Sequence, residues 1–249
     1  MLIIGVDCAT DERKTGVALG TCERGRVTVR DARACSEREP AAAILTGWLT
    51  GHDVALLALD APLGWPEPLG DELSRHQAGG VIATEKNRVF RRETDRFIQA
   101  HLGKTPLDVG ADRIARTAHA ALHLLETLRR NLRLALPLAW EPARVTTVAA
   151  IEVYPAATLR AHGIASSGYK DVSQGVPREA VLSGLRAVMD AESVVHQMRA
   201  DADVLDAVAC LLAAQDFLDG RALSPPNLGI ARKEGWIWAA PRAPAVGEG

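Results

Sequence analysis

The chain has 249 residues, of which 47 % are hydrophobic, enough apolar material for one sizeable core or for one domain carrying a long insertion. Its formal net charge of −2 excludes a globally basic coat for nucleic acid. The charge is unevenly spread: residues 84–133 hold 11 Lys or Arg against 6 Asp or Glu, which leaves an acidic remainder suited to a cation.

Residues 2–6 are continuously apolar, as in a central strand covered on both faces. This run ends at Asp7, too short to cross a bilayer, and no basic leader with a small-residue cleavage site accompanies it. Cys8, Cys22, Cys35 and Cys210 lack metal-type C-x-x-C spacing and read as free thiols. A cytoplasmic protein without a membrane partner is therefore expected. Strands follow over 15–22 and 26–34, joined by a turn near Gly25. Ala42, Leu45 and Leu49 then predict a helix over 39–50, with Pro40 in its first turn. Residues 54–59 form another buried strand, closed by Asp60-Ala-Pro-Leu-Gly64.

Three strands, a helix and a further strand make an antiparallel meander followed by a crossover to a parallel strand. A plain doubly wound sheet would need a helix between the early strands, and three residues leave no room for one. The expected fold is thus an α/β, RNase H-like mixed sheet flanked by helices, as a single domain over 1–240. Residues 61–146 are expected as a helical insertion forming a wall or lid. Its best helix spans 111–133, with Ile114, Ala118, Ala121, Leu125, Leu128 and Leu132 on one stripe. A strand over 147–153, a helix from Pro155 to His162, a loop over 164–176 and helices over 177–189 and 201–218 complete the core. A last strand is expected near Ile237, and a disordered tail over 241–249.

Four acids carry the chemistry. Asp7, Asp60 and Glu152 close apolar strands, and Asp206 lies early in the 201–218 helix, one turn after Asp203. A carboxylate ending a buried strand is costly unless something pairs with it. Mg²⁺ and Mn²⁺ take such oxygen ligands, and a pair of ions can hold the attacking and leaving oxygens of a phosphoryl displacement. In this reading Asp7 bridges two ions. Asp60, Glu152 and Asp206 complete their shells, with Asp203 as the alternate ligand. One ion activates water and the other stabilises the leaving 3′ oxygen. Taken singly, these acids have simpler roles: Asp201 or Asp203 as a helix cap, and Asp60 as the start of a turn.

The motifs Gly5-Val-Asp7, Asp60-Ala-Pro-Leu-Gly64, Arg92-Glu-Thr-Asp95, Glu152-Val-Tyr-Pro155, Gly168-Tyr-Lys170, Asp206-Ala and Glu234-Gly-Trp-Ile-Trp, in this order, resemble the domain-of-unknown-function family numbered 429. That family is described as predicted nucleases of RNase H-like fold. The resemblance implies Asp7, Asp60, Glu152 and Asp206 as active-site carboxylates. Asp203-x-x-Asp206 is also similar to RuvC-type resolvases, which implies a homodimer by analogy.

The substrate side is read from cations. Arg88, Arg91, Arg92 and Arg96 with Lys86 are candidates for gripping DNA or RNA phosphates, and Lys14 and Lys170 for approaching the reacting phosphate. Arg92 with Asp95 has a second reading, as a structural pair supporting the site. His119 and His123 lack the Glu of H-E-x-x-H and are not expected to bind metal. Trp236 and Trp238 are expected to pack on the domain, and Cys8 to be a small buried residue. The expected activity is a metal-dependent nuclease. Rival readings are a noncatalytic nucleic-acid or protein scaffold, and an actin-like ATP-dependent phosphotransferase. The latter is disfavoured because Asp7-Cys-Ala-Thr10 lacks the Gly of its phosphate hairpin.

Overall fold

A computed structural model describes residues 1–110, 112–171 and 175–242. The expected tail therefore falls, from residue 243 on, outside the described residues. Strands β1 (Leu2–Asp7), β2 (Gly16–Glu23) and β3 (Arg26–Ala34) form the meander, with a 3-10 turn over Glu12–Lys14. Helix α1 (Ala41–Leu49) leads to β4 (Ala55–Asp60). Between β4 and β5 (Val148–Glu152) lie α2 (Glu67–Leu73), α3 (Lys86–Phe90), α4 (Glu93–Leu102) and α5 (Asp112–Leu132). The chain continues with α6 (Pro155–Ala161), α7 (Gly175–Val188), α8 (Val195–Ala200), α9 (Ala202–Leu218) and α10 (Leu228–Glu234).

The sheet order is β3-β2-β1-β4-β5, antiparallel among the first three strands and parallel from β1 to β5. This is the expected α/β architecture, a mixed five-stranded sheet flanked by helices and consistent with an RNase H-like arrangement. The elements called from periodicity lie within two residues of their expected bounds. The final strand differs: near Ile237 there is an isolated parallel bridge to Glu152. Trp236 and Trp238 are buried, as their alternation with Ile237 predicts, and so is Cys8.

Side-chain alternation splits the sheet between two cores. Leu56 and Ala58 of β4 join Ala149 and Ile151 of β5 beneath α7 and α9. Leu57 and Leu59 join Val148 and Ala150 beneath α1 and α5. The buried helix α9 is apolar nearly all round, so burial rather than amphipathicity explains its sequence. Two glycines bring it very close to the sheet. A β-carbon at Gly5 would overlap the Ala207 carbonyl, and one at Gly16 would overlap the Asp203 carbonyl.

That contact is a testable constraint. Gly5→Ala should lower unfolding stability by about 2 kcal/mol or more through overpacking, as measured by urea denaturation. Wild-type stability in this variant would mean that α9 is not held against β1 by the missing side chain.

Candidate metal centre

Asp7 and Asp60 are direct neighbours in the β1–β4 register, so their side chains leave the strand ends on the same face. Helix α9 crosses that face. Asp201 caps it by accepting a 2.8 Å hydrogen bond from the Asp203 amide, which places Asp203 and Asp206 one turn apart beside Asp7. Oxygens of Asp7, Asp60 and Asp206 all lie within 4.8 Å of one another. Asp203 adds a fourth carboxyl within hydrogen-bonding reach of Asp7.

The electrostatics show how poorly the protein alone satisfies this cluster. Burial pushes the Asp7 carboxyl well above the usual range, with Asp206 and Asp60 adding repulsion. Asp60 is raised from 3.8 to about 7 by burial and then by Asp206. Asp203 is raised by burial and by Asp201. Asp206, 1 % exposed, is raised by burial despite two partners. The Tyr169 hydroxyl donates to its Oδ1 at 2.7 Å, and the Lys170 ammonium pairs with its Oδ2. Burial opposes the Lys170 charge, but Asp206 and Asp7 outweigh it and raise the lysine's pKa. Buried Arg178 holds the loop in place by donating to the Tyr169 carbonyl at 2.9 Å. Four carboxyls thus face one ammonium and one phenol. Oxygen donors alone, crowded and short of positive charge, fit a hard divalent cation such as Mg²⁺ or Mn²⁺.

Glu152 stands apart from the three-acid group. Its Cα partner on β4 is Leu59 rather than Asp60, which sets its side chain on the opposite parity. There it binds Arg92 through two hydrogen bonds of 2.9 and 2.7 Å and accepts the Leu63 amide at 3.0 Å. Burial raises the Glu152 carboxyl, and Arg92 offsets part of that cost. Arg92 is itself 1 % exposed and also engages Asp95 at 2.9 Å and the Glu234 carbonyl at 3.1 Å. Its guanidinium is fully committed within the protein, which agrees with the supporting-pair reading of Arg92 and Asp95. Close by, the Glu234 carboxylate accepts the Glu67 amide at 2.8 Å and the Glu93 amide at 2.6 Å, and so caps α2 and α4 together. Gly235 has φ of +83°, and a β-carbon there would press on Glu152 Oε2.

A cleft of about 640 Å³ opens over the acids. Lys14 and Lys170 line it, as does Arg113, which the sequence reading did not single out. Arg88 is exposed on α3 and does not line the cleft. Arg91, also outside it, is paired with Asp108 at 3.0 Å. His119 and His123 are exposed on α5, their Nε2 atoms 3.1 Å apart, and neither belongs to a group of three or more metal-ligating residues among the described residues. Signals for the missed roles were faint: Tyr169 stands in the Gly168-Tyr-Lys170 motif, but Arg113 and the double cap by Glu234 have no local signature.

Among the described residues, no helix is long and apolar enough to cross a membrane. The family described as "Protein of unknown function (DUF429)" matches residues 5–228. No curated protein matches the chain.

Two outcomes follow from this geometry. Removing Arg92 strands two buried carboxylates, so Arg92→Met should cost about 3–5 kcal/mol in urea unfolding. Arg88→Met, on the surface, should change stability by less than about 0.5 kcal/mol. For pH, Asp60 binds its proton more tightly folded than unfolded. Folding therefore takes up a proton between pH 3.8 and about 7, and this contribution to metal-free stability falls as pH rises through that window. Ionised acids then bind cation better, so the rise in Tm caused by Mn²⁺ should be larger at pH 8 than at pH 5. An equal rise at both would exclude these carboxyls as the ligands.

Proposed function

The chain belongs to this DUF429 family, and from that premise we propose that it is a metal-dependent nuclease hydrolysing phosphodiester bonds of DNA or RNA. The observation that carries the reading is the meeting of Asp7, Asp60 and Asp206 from two strands and a helix, with one carboxylate oxygen from each within 4.8 Å of the others. Mg²⁺ or Mn²⁺ held by these three residues supplies an activated water and neutralises phosphate charge when bound. Asp203 supplies the extra carboxyl that a second ion of the expected pair would use.

The remaining roles belong to the protein. Tyr169 fixes the orientation of Asp206 through its hydroxyl. Lys170, at the cleft surface and paired with Asp206, is placed to offset negative charge on a phosphate drawn to the acids. Lys14 and Arg113 line the same cleft and have no carboxylate partner among the described residues, so their charges are available to flanking phosphates. Glu152 acts as a positioning residue: by anchoring Arg92 and the Leu63 amide it holds the segment that follows Asp60. Four free thiols suit a reducing cytoplasm.

The test is cleavage of labelled oligonucleotides in Mn²⁺ and in chelator, with Asp7→Asn as control. Cleavage by the wild type should need the cation and should vanish in Asp7→Asn. That variant should remain folded by circular dichroism and be at least as stable without metal, because a desolvated charge has gone. Full cleavage by Asp7→Asn would falsify the assignment.

A further inference from the structure

The cleft over the acids says more about its occupant, on the condition that the nuclease reading holds. Its volume of about 640 Å³ lies in the range of small-ligand pockets, about 300–1,000 Å³. Its lining has three chemistries. Acids form one part, and the cations Lys14, Arg113 and Lys170 form another. The third is apolar, from Leu107, Ile114, Tyr154 and Pro155. Leu107 is 69 % exposed and, with its three neighbours in the lining, leaves apolar surface open to the cleft.

Two segments beside the cleft are also tied together. Lys104, in the segment between α4 and α5, donates from Nζ to the Ser166 carbonyl at 2.9 Å. Ser166 begins the loop that carries Tyr169 and Lys170, and both it and Pro106 line the cleft. The insertion and the catalytic loop are thus tied to each other beside the acids. A cleft of this volume takes one nucleotide, whereas a continuous duplex needs a groove open along its path.

We infer that the site takes an unpaired nucleotide, from a single strand, a strand end or a bulge, with its base against the Leu107–Ile114–Tyr154–Pro155 surface and its phosphate over Asp7, Asp60 and Asp206. Bases offer apolar faces of any sequence to such a surface, so recognition is of unpairing rather than of sequence. A paired nucleotide must first be unstacked and extruded, which costs a few kcal/mol and slows cleavage accordingly.

The experiment uses the full chain, Mn²⁺ and three substrates in DNA and RNA form: a single strand, a covalently closed duplex, and the same duplex with an unpaired bulge. The single strand and the bulge should be cut at least about 10-fold faster than the closed duplex, with cuts at the bulge. Lys104→Met, which releases the tether, should narrow that preference without removing Mn²⁺-dependent cutting of the single strand. Equal cutting of closed duplex and single strand overturns this inference and leaves the nuclease reading intact. An unchanged preference in Lys104→Met overturns the role given to the bridge. No cutting of any substrate overturns the nuclease reading, and the inference with it.

Discussion

The buried Arg92–Glu152 ion pair is the joint on which the molecule's geometry rests. Both side chains are almost wholly withdrawn from water, a state that is tolerable only because nearly every donor and acceptor finds a partner. Glu152 brings in the last strand of the sheet and the Leu63 amide of the chain that follows Asp60. Arg92 brings in helix α4 through Asp95, and the Glu234 carbonyl from the end of α10. Four segments distant in sequence are therefore locked by one ion pair. The planar fork of the guanidinium serves both carboxylates at once, as a lysine could not.

The acid cluster depends on a second device, the absence of side chains. Helix α9 sits against β1 and β2 where Gly5 and Gly16 leave the backbone bare. That approach carries Asp206 to within reach of Asp7 and Asp60. Strand register supplies the other half, since Asp7 and Asp60 are paired across β1 and β4. Rigid elements thus hold like charges together, and burial with mutual repulsion raises their proton affinities.

Much of this was readable from sequence, where periodicity was strong. The meander, α1, α5, α9 and the central strands follow from apolar spacing and from turns too short for helices. Asp7, Asp60 and Asp206 were legible because each ends or begins a buried element. Glu152 was legible as a cleft acid, but its bond to Arg92 was not, because it turns on a single step of register: pairing with Leu59 instead of Asp60 turns its carboxylate away from the three-acid group. Helix α4 was hidden because its start, Arg92-Glu-Thr-Asp95-Arg96, looks like a charged loop. Only half of a capping box is present: Asp95 accepts the Arg92 amide, while an arginine at the cap has no oxygen to offer in return, so the usual serine or threonine signal is missing. Tertiary packing decides such cases, and local pattern does not record it.

The double cap at Glu234 has a consequence for how the chain assembles during synthesis. The first amides of α2 and α4 find their acceptor 167 and 141 residues downstream. The five strands are all made by residue 152, although α7 and α9, which cover one face of the sheet, come later. Helices α2 and α4 must wait for this acceptor until residue 234 has emerged. The supports around the Arg92–Glu152 pair are then among the last to settle, and a nascent chain that stops short of residue 234 would lack both caps.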